Sequence, residues 1–343
     1  MHALVTARHY AADKTAYTHF VAVPAARDVR SDGVESWVER HWLHGPFVGV
    51  AVAGPAVEVV RASSRLSAAL EAGVQRWPST REMTPEQLEA SSERNGRLEQ
   101  LPGPYTPIYP DNTVQILTPD RTALAHLLGG EAARDTRDTL MSAGLDALDV
   151  ATGDLYAQRM TNLSLTITAL ALHATTYAPG PTGGAMSFLS HVEDYLHRSG
   201  EQTREAFERA WLGAHPELVS TVAGLLAGQT REQLDEVLLE WSSAAVERAG
   251  TAYRAGALPL LPAGRSDDEL SDFHRFIQGR FDPAAVAEHF GPYRFATNVL
   301  YQLLLTCGVR PVERYLGAYL LSRCVTALTG VDWVQLARSG AGA

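Results

Sequence analysis

Phe47-Val48-Gly49-Val50-Ala51-Val52-Ala53 alternates larger and smaller apolar side chains and carries no charge. A short run of this kind, entered through Gly45-Pro46, reads as a strand buried on one or both faces. Before it, residues 36–44 are extended or helical, and residues 19–23 (His-Phe-Val-Ala-Val) form a short β-rich run. After it, residues 57–77 read as an amphipathic helix stopped by Pro78. Thr84-Pro85-Glu86-Gln87 opens another helix with proline at its first position, running to about Leu98. Residues 101–110 hold four prolines and form a loop, and residues 113–117 make a further short strand.

From Pro119 onward the spacing is helical throughout. Helices are expected over 120–128, 133–148, 154–175, 187–199, 203–212, 217–226, 232–254, 267–278, 292–306 and 311–328. Glycine and proline loops at 179–184 and 255–264 separate them. The expected fold is therefore α+β, with a short-stranded sheet in the N-terminal third and a predominantly helical remainder. One catalytic domain over 1–333 is expected, mixed α/β over 1–118 and helical over 119–333, with residues 334–343 as a flexible tail.

Composition narrows the chemistry. Apolar residues make up 45% and charged residues 20% of the 343, a globular profile. The N-terminus has no apolar core followed by a small-residue cleavage site, and no apolar run approaches membrane length. Cys307 and Cys324 fall inside apolar helical patterns and are expected to be buried free thiols. The expected compartment is the reducing cytoplasm. A net charge of −10 argues against nucleic acid as the main partner. Lys14, the only lysine, lies in a polar segment, a poor place for the desolvated lysine that a pyridoxal enzyme needs. No G-x-S-x-G, H-E-x-x-H, C-x-x-C or G-x-G-x-x-G motif occurs, and His41 and His44 lack partners at metal-site spacing. No metal and no cofactor is expected.

Two helices carry polar stripes. On the first, Arg294, Asn298 and Tyr301 stand at i, i+4 and i+7 among Phe295, Val299, Leu300, Leu303, Leu304 and Leu305, with Gln302 beside them and Tyr293 at the start. A buried polar group costs about 1–3 kcal/mol when unpaired, so the stripe faces either a hydrogen-bond network or a cavity. On the second, Ser187, His191 and Asp194 align opposite Phe188, Val192 and Tyr195. Either this face is solvated or its histidine serves as an acid or base near neutrality.

Taken in order, Trp37-Val-Glu-Arg-His-Trp-Leu-His-Gly-Pro-Phe-Val-Gly-Val-Ala-Val, Ser187-Phe-Leu-Ser-His-Val-Glu-Asp-Tyr-Leu and Phe290-Gly-Pro-Tyr-Arg-Phe-Ala-Thr-Asn-Val-Leu-Tyr, with Gly308-Val-Arg-Pro-Val-Glu-Arg-Tyr downstream, form a recognisable series. The chain resembles the thiopeptide-type bacteriocin biosynthesis proteins, relatives of the small glutamate-eliminating domain of lantibiotic dehydratases. In the eliminating branch, the strand after the proline carries two arginines on one face. Here Gly49 and Ala51 occupy those positions, which implies a roomier site and resembles the pyridine synthases of thiopeptide biosynthesis.

The resemblance implies a cofactor-free enzyme that joins two dehydroalanines of a modified precursor peptide in a formal aza-[4+2] cycloaddition. Water and the leader peptide, released as an amide, are then lost to give a pyridine within a macrocycle. The implied partners are a leader-bearing, dehydrated, azole-containing peptide and upstream dehydratase proteins, with neither nucleic acid nor membrane. On this reading Tyr301 or Tyr293 donates the proton and Asn298 with Gln302 orients the amide. Arg294 stabilises developing negative charge, and His191 is a further acid or base. Ser187, Gly49 and Ala51 border the substrate, while Arg61 and Arg65, with Arg76, Arg81, Arg94 and Arg97, form a docking face for an acidic leader, unless local acids pair with them. The alternatives are a stand-alone glutamate-eliminating subunit and a leader-binding scaffold without catalysis.

Overall fold

The computed structural model describes residues 1–99, 103–119, 121–215, 217–230, 232–259, 271, 273–275, 283–332 and 334. Among them, four antiparallel strands form a sheet: β1 (His2–Arg8), β2 (Glu35–His41), β3 (Phe47–Ala53) and β4 (Val114–Leu117), in the order β2-β3-β1-β4. The strand read from 47–53 is thus central. Its Val50 pairs with Val5 on one side and Val38 on the other, a row of β-branched side chains on one face. The helix Ala56–Arg76 packs on β1 and β3 and buries Val59, Ala62, Leu66 and Leu70. Each buried valine or leucine among them contributes about 1.5–3 kcal/mol.

Two departures from the sequence reading lie in this part. Residues 19–23 are not a strand. Thr15–Tyr17, a π turn at Thr18–Ala22 and Val23–Val29 run on as helix, burying Tyr17, Ala22, Ala25, Ala26 and Val29. The helical period of that buried set overrides the β-branched content of the shorter run. Conversely, β1 reads weakly because Ala3, Thr6 and Ala7 are small or polar, yet residues 3–8 are all buried.

The further helices among the described residues include Pro85–Glu99, Thr122–Leu128, Glu131–Ala143, Leu145–Tyr156, Asn162–Thr175, Pro181–Ser199, Glu201–Ala214, Glu217–Leu226, Gln233–Arg254, Pro283–Cys307 and Pro311–Thr329. The expected helices over 133–148 and 154–175 are cut differently, with breaks at Gly144 and before Asn162. The expected 267–278 helix lies largely outside the described residues. Gly183 and Gly184, expected in a loop, sit in the first turns of Pro181–Ser199. Pro292, expected at a helix start, is inside Pro283–Cys307, where the missing N–H removes one backbone bond.

The chain divides into two compact units. One comprises Met1–Arg121, Met141–Arg159 and Leu305–Gly308, the other Thr122–Leu140, Met160–Leu304 and Val309–Ala343. Asn162–Thr175 is the centre of the second: Leu165, Leu170 and Leu172 are buried, and it packs on Pro181–Ser199, Glu217–Leu226, Gln233–Arg254 and Pro311–Thr329. The approach of the last is close enough that a Cβ on Gly317 would stand 2.5 Å from Thr166 Cγ2. Cys307 and Cys324 are buried free thiols. No helix among the described residues is long and apolar enough to cross a membrane.

Candidate functional site

The two polar stripes meet. His191 and Tyr301 bring their rings together edge to face, 5.4 Å between centroids and 88° between planes. Tyr301 is only 6% exposed. Burial raises its hydroxyl well above the ordinary tyrosine range, and Arg314 opposes that rise. Burial also pushes His191 down to about 3, helped by the charges of Arg314, Arg294 and His274 and opposed by Asp194. At neutral pH the pair is therefore a neutral phenol beside a neutral imidazole, and burial opposes charge on either.

Tyr293 is wholly buried, its ring stacked on His173 with centroids 4.7 Å apart and 15° between planes, and packed against Tyr177 at 4.9 Å. Its hydroxyl has no hydrogen-bond partner, and burial raises it far above the tyrosine range. The glycine at 184 makes this fit. A Cβ there would lie 2.6 Å from the Ala174 carbonyl oxygen and 3.0 Å from the Tyr293 hydroxyl. His173 bonds Thr297 Oγ1 through Nε2 at 3.0 Å, and Thr297 donates to the Tyr293 carbonyl at 2.9 Å. Burial holds His173 down to about 3, the Tyr293 carbonyl pulling the other way.

Arg294 and Asn298 are half-buried on the same helix. Gln302 is engaged from behind: Arg137 Nε donates to its Oε1 at 2.7 Å, and Arg137 Nη1 pairs with the buried Asp138 at 2.8 Å. Ser187 is buried with its hydroxyl unpartnered. Asp194, aligned with it in sequence, pairs with Arg198 at 2.6 Å.

The remaining expected site residues lie in the first unit. Gly49 does not open space. A Cβ there would meet Leu4 Cδ1 at 3.1 Å, the Val5 carbonyl oxygen at 3.1 Å and Phe47 Cε2 at 3.3 Å, and Ala51 is buried beside Trp37 and Leu4 in the register. The expectation of room at this strand is corrected by its neighbours, which fill it. Arg61 and Arg65 are answered locally: Arg61 pairs with Asp32 at 3.2 Å, and Arg65 with Asp32 at 2.6 Å and with Asp28.

Lys14 also departs from its sequence reading. It is 7% exposed, its amine donates to the Ala11 carbonyl, and burial together with Arg40 and Arg81 lowers it to about 7. A desolvated lysine is present after all. The sequence also passed over Arg314, whose guanidinium carbon lies 4.4 Å from the Tyr301 ring centroid, and His173 and Tyr177. The Arg314 signal was its place in the Gly308–Tyr315 landmark; His173 sits in an apolar run with nothing to mark it.

Neither a protein-family model nor a curated protein matches the sequence. Solved structures do match in fold. The pyridine synthase TbtD from thiomuracin biosynthesis shares 16% identity at a TM-score of 0.77, with 96% of this chain and 99% of that chain covered. TsrL shares 17% identity at a TM-score of 0.66, with 100% and 99% covered. Nearly end to end, the chain has the fold of the pyridine synthase of thiomuracin biosynthesis.

Proposed function

We propose that this protein modifies a ribosomal peptide in thiopeptide biosynthesis, as a pyridine-forming macrocyclase. The observation that carries the reading is the likeness in fold, over 96% of the chain, to a pyridine synthase. The contact of Tyr301 with His191 supports it by bringing a hydroxyl and an imidazole together. In the proposed reaction one dehydroalanine and its neighbouring amide tautomerise to a 2-azadiene, and a second dehydroalanine adds across it. Departure of water and of the leader peptide as its amide then aromatises the ring.

Three demands follow, and the residues divide among them. The alkenes must be held in reach, where effective molarity supplies several kcal/mol of the barrier, on the order of 7–11 at best. The amide must be drawn toward its iminol form, a task for Asn298, with Gln302 held by Arg137 as a support behind it. Leaving groups need a proton, which Tyr301 donates, while His191 accepts one during tautomerisation. Arg294 steadies negative charge developing on the amide oxygen. Tyr293, shut in against Gly184, is a positioning residue, with Ser187 on the adjoining helix. Leader docking is not assigned to Arg61 and Arg65, whose charges Asp28 and Asp32 already meet. Nor do Gly49 and Ala51 touch substrate; they let β3 pack closely.

The test is mass balance. Incubated with a leader-bearing, multiply dehydrated, azole-containing peptide, the purified protein should release a macrocycle without added nucleotide. A requirement for glutamyl-tRNA would contradict the cyclase reading, and release of glutamate from a glutamylated peptide would return the chain to the eliminating branch.

A further inference from the structure

Arg314, near the start of the helix Pro311–Thr329, is held by two aromatic faces. Its guanidinium carbon lies 4.4 Å from the ring centroid of Tyr301 and 4.8 Å from that of Tyr315. Tyr315 is itself braced, stacked on Tyr195 at 4.1 Å with planes 8° apart. Aromatic faces packed on a guanidinium restrict its motion and leave its N–H edges to meet a ligand.

No carboxylate among the described residues pairs with that edge. Among the described residues Arg314 makes no ion pair and no side-chain hydrogen bond, and its Nε is buried without a partner. The acids adjoining Arg314 and Tyr195 in sequence have arginine partners of their own. Glu313 pairs with Arg310 at 2.9 Å, Asp194 with Arg198 at 2.6 Å, and Glu193 with Arg204 at 2.9 Å. Arg314, Arg294 and His274 lower the His191 pKa, and Asp194 raises it. An enclosed donor without an acceptor is costly, so its retention points to a ligand that supplies the acceptor.

We propose that Arg314 anchors an anion site that binds a carboxylate of the peptide substrate, oriented by the clamp of Tyr301 and Tyr315. The fork of a stacked guanidinium matches a planar carboxylate, which a compact ammonium does not. The site shares Tyr301 and His191 with the proposed catalytic cluster, yet binding of a carboxylate there does not depend on cycloaddition. The carboxylate comes either from a peptide C-terminus or from an acidic side chain.

Binding is read on the full chain, without turnover, from the ring resonances of His191 by NMR. The probes are N-acetyl-Ala-Ala-Ala with a free carboxylate, its carboxamide, N-acetyl-Ala-Glu-Ala-amide, and the same peptide with glutamine. Saturable shifts with one or both acids and none with their amides are expected, the responding acid naming the source. An anion beside Arg314 should also raise the His191 pKa. Arg314→Gln should weaken binding at least tenfold, and Arg314→Lys, which keeps the charge and loses the fork, should weaken it less. Lack of response to either acid, equal response to acids and amides, or unchanged affinity in Arg314→Gln would overturn the site. Should Arg314→Gln fail to fold, Arg314→Lys decides: affinity equal to the parent's overturns the fork, a reduced one supports it. A protein that binds the acids but makes no macrocycle would contradict the cyclase reading alone.

Discussion

The edge of one ring meets the face of the other where His191 and Tyr301 pack, 5.4 Å apart between centroids. Each comes from a different helix, and each is shifted by burial toward its neutral form. Tyr301→Phe removes one hydroxyl and almost no volume, so the melting temperature should stay within a few degrees. If the hydroxyl delivers the proton, turnover should fall about 10²-fold or more, the range for general acid–base help. Rate and melting temperature measured on the same preparation separate the two effects. Full activity would make the pair a packing contact only.

Gly49→Arg tests the correction at β3. The added side chain must begin 3.1 Å from both Leu4 Cδ1 and the Val5 carbonyl oxygen, in the centre of the sheet. Destabilisation by about 1–3 kcal/mol or more is expected from such overpacking, visible as a lower urea midpoint. A variant with the parent's stability and reduced cyclisation would restore Gly49 to the border of the substrate site.

Acid should weaken the fold through His173. Its pKa is depressed from an ordinary 6.5 to about 3 by burial. Between those values the unfolded chain binds a proton that the native one does not, so stability is lost as pH falls below 6.5, by up to about 1.4 kcal/mol per unit. His9 and His191, also depressed, add to the slope. Against the parent, His173→Gln should flatten it; identical profiles would show that His173 is charged or exposed in the native protein.

Lys14 acts in the opposite pH range. With its native pKa near 7 and an unfolded value near 10.5, the unfolded chain holds the extra proton between them. Stability from this group therefore rises with pH across that window, again by at most about 1.4 kcal/mol per unit. Cys307 and Cys324, pushed up to about 12 by burial, oppose the rise at its upper end. The difference between the parent and Lys14→Met isolates the lysine: the variant's advantage should be largest at pH 7 and shrink toward pH 10. A constant difference would mean that Lys14 keeps its charge.

Period-2 and period-3.6 patterns made β3, the helix Ala56–Arg76 and the polar stripe at 294–301 legible, because each is set by residues close in sequence. The meeting of His191 with Tyr301 is a tertiary fact joining two such stripes, and only the alignment within each could be read beforehand. The burial of Lys14 is hidden in the sequence because Asp13 and Thr15 beside it are polar, and it comes from the fold around it. The packing at Gly49 is hidden for a related reason. A missing side chain suggests room, but Leu4 and Phe47 take the space. Arg314 stood within a quoted landmark, yet its lack of a carboxylate partner depends on Glu313 turning to Arg310.

The chemical form of the released leader tests the central claim most directly. Aromatisation after cycloaddition expels the leader as a C-terminal carboxamide, whereas hydrolysis by any route leaves a carboxylate. Mass spectrometry of the leader fragment from the dehydrated precursor peptide distinguishes them, with macrocycle and leader quantified together. The expected result is a carboxamide in equal amount to the macrocycle. A leader carboxylate, or a macrocycle formed with the leader still attached, would contradict the account.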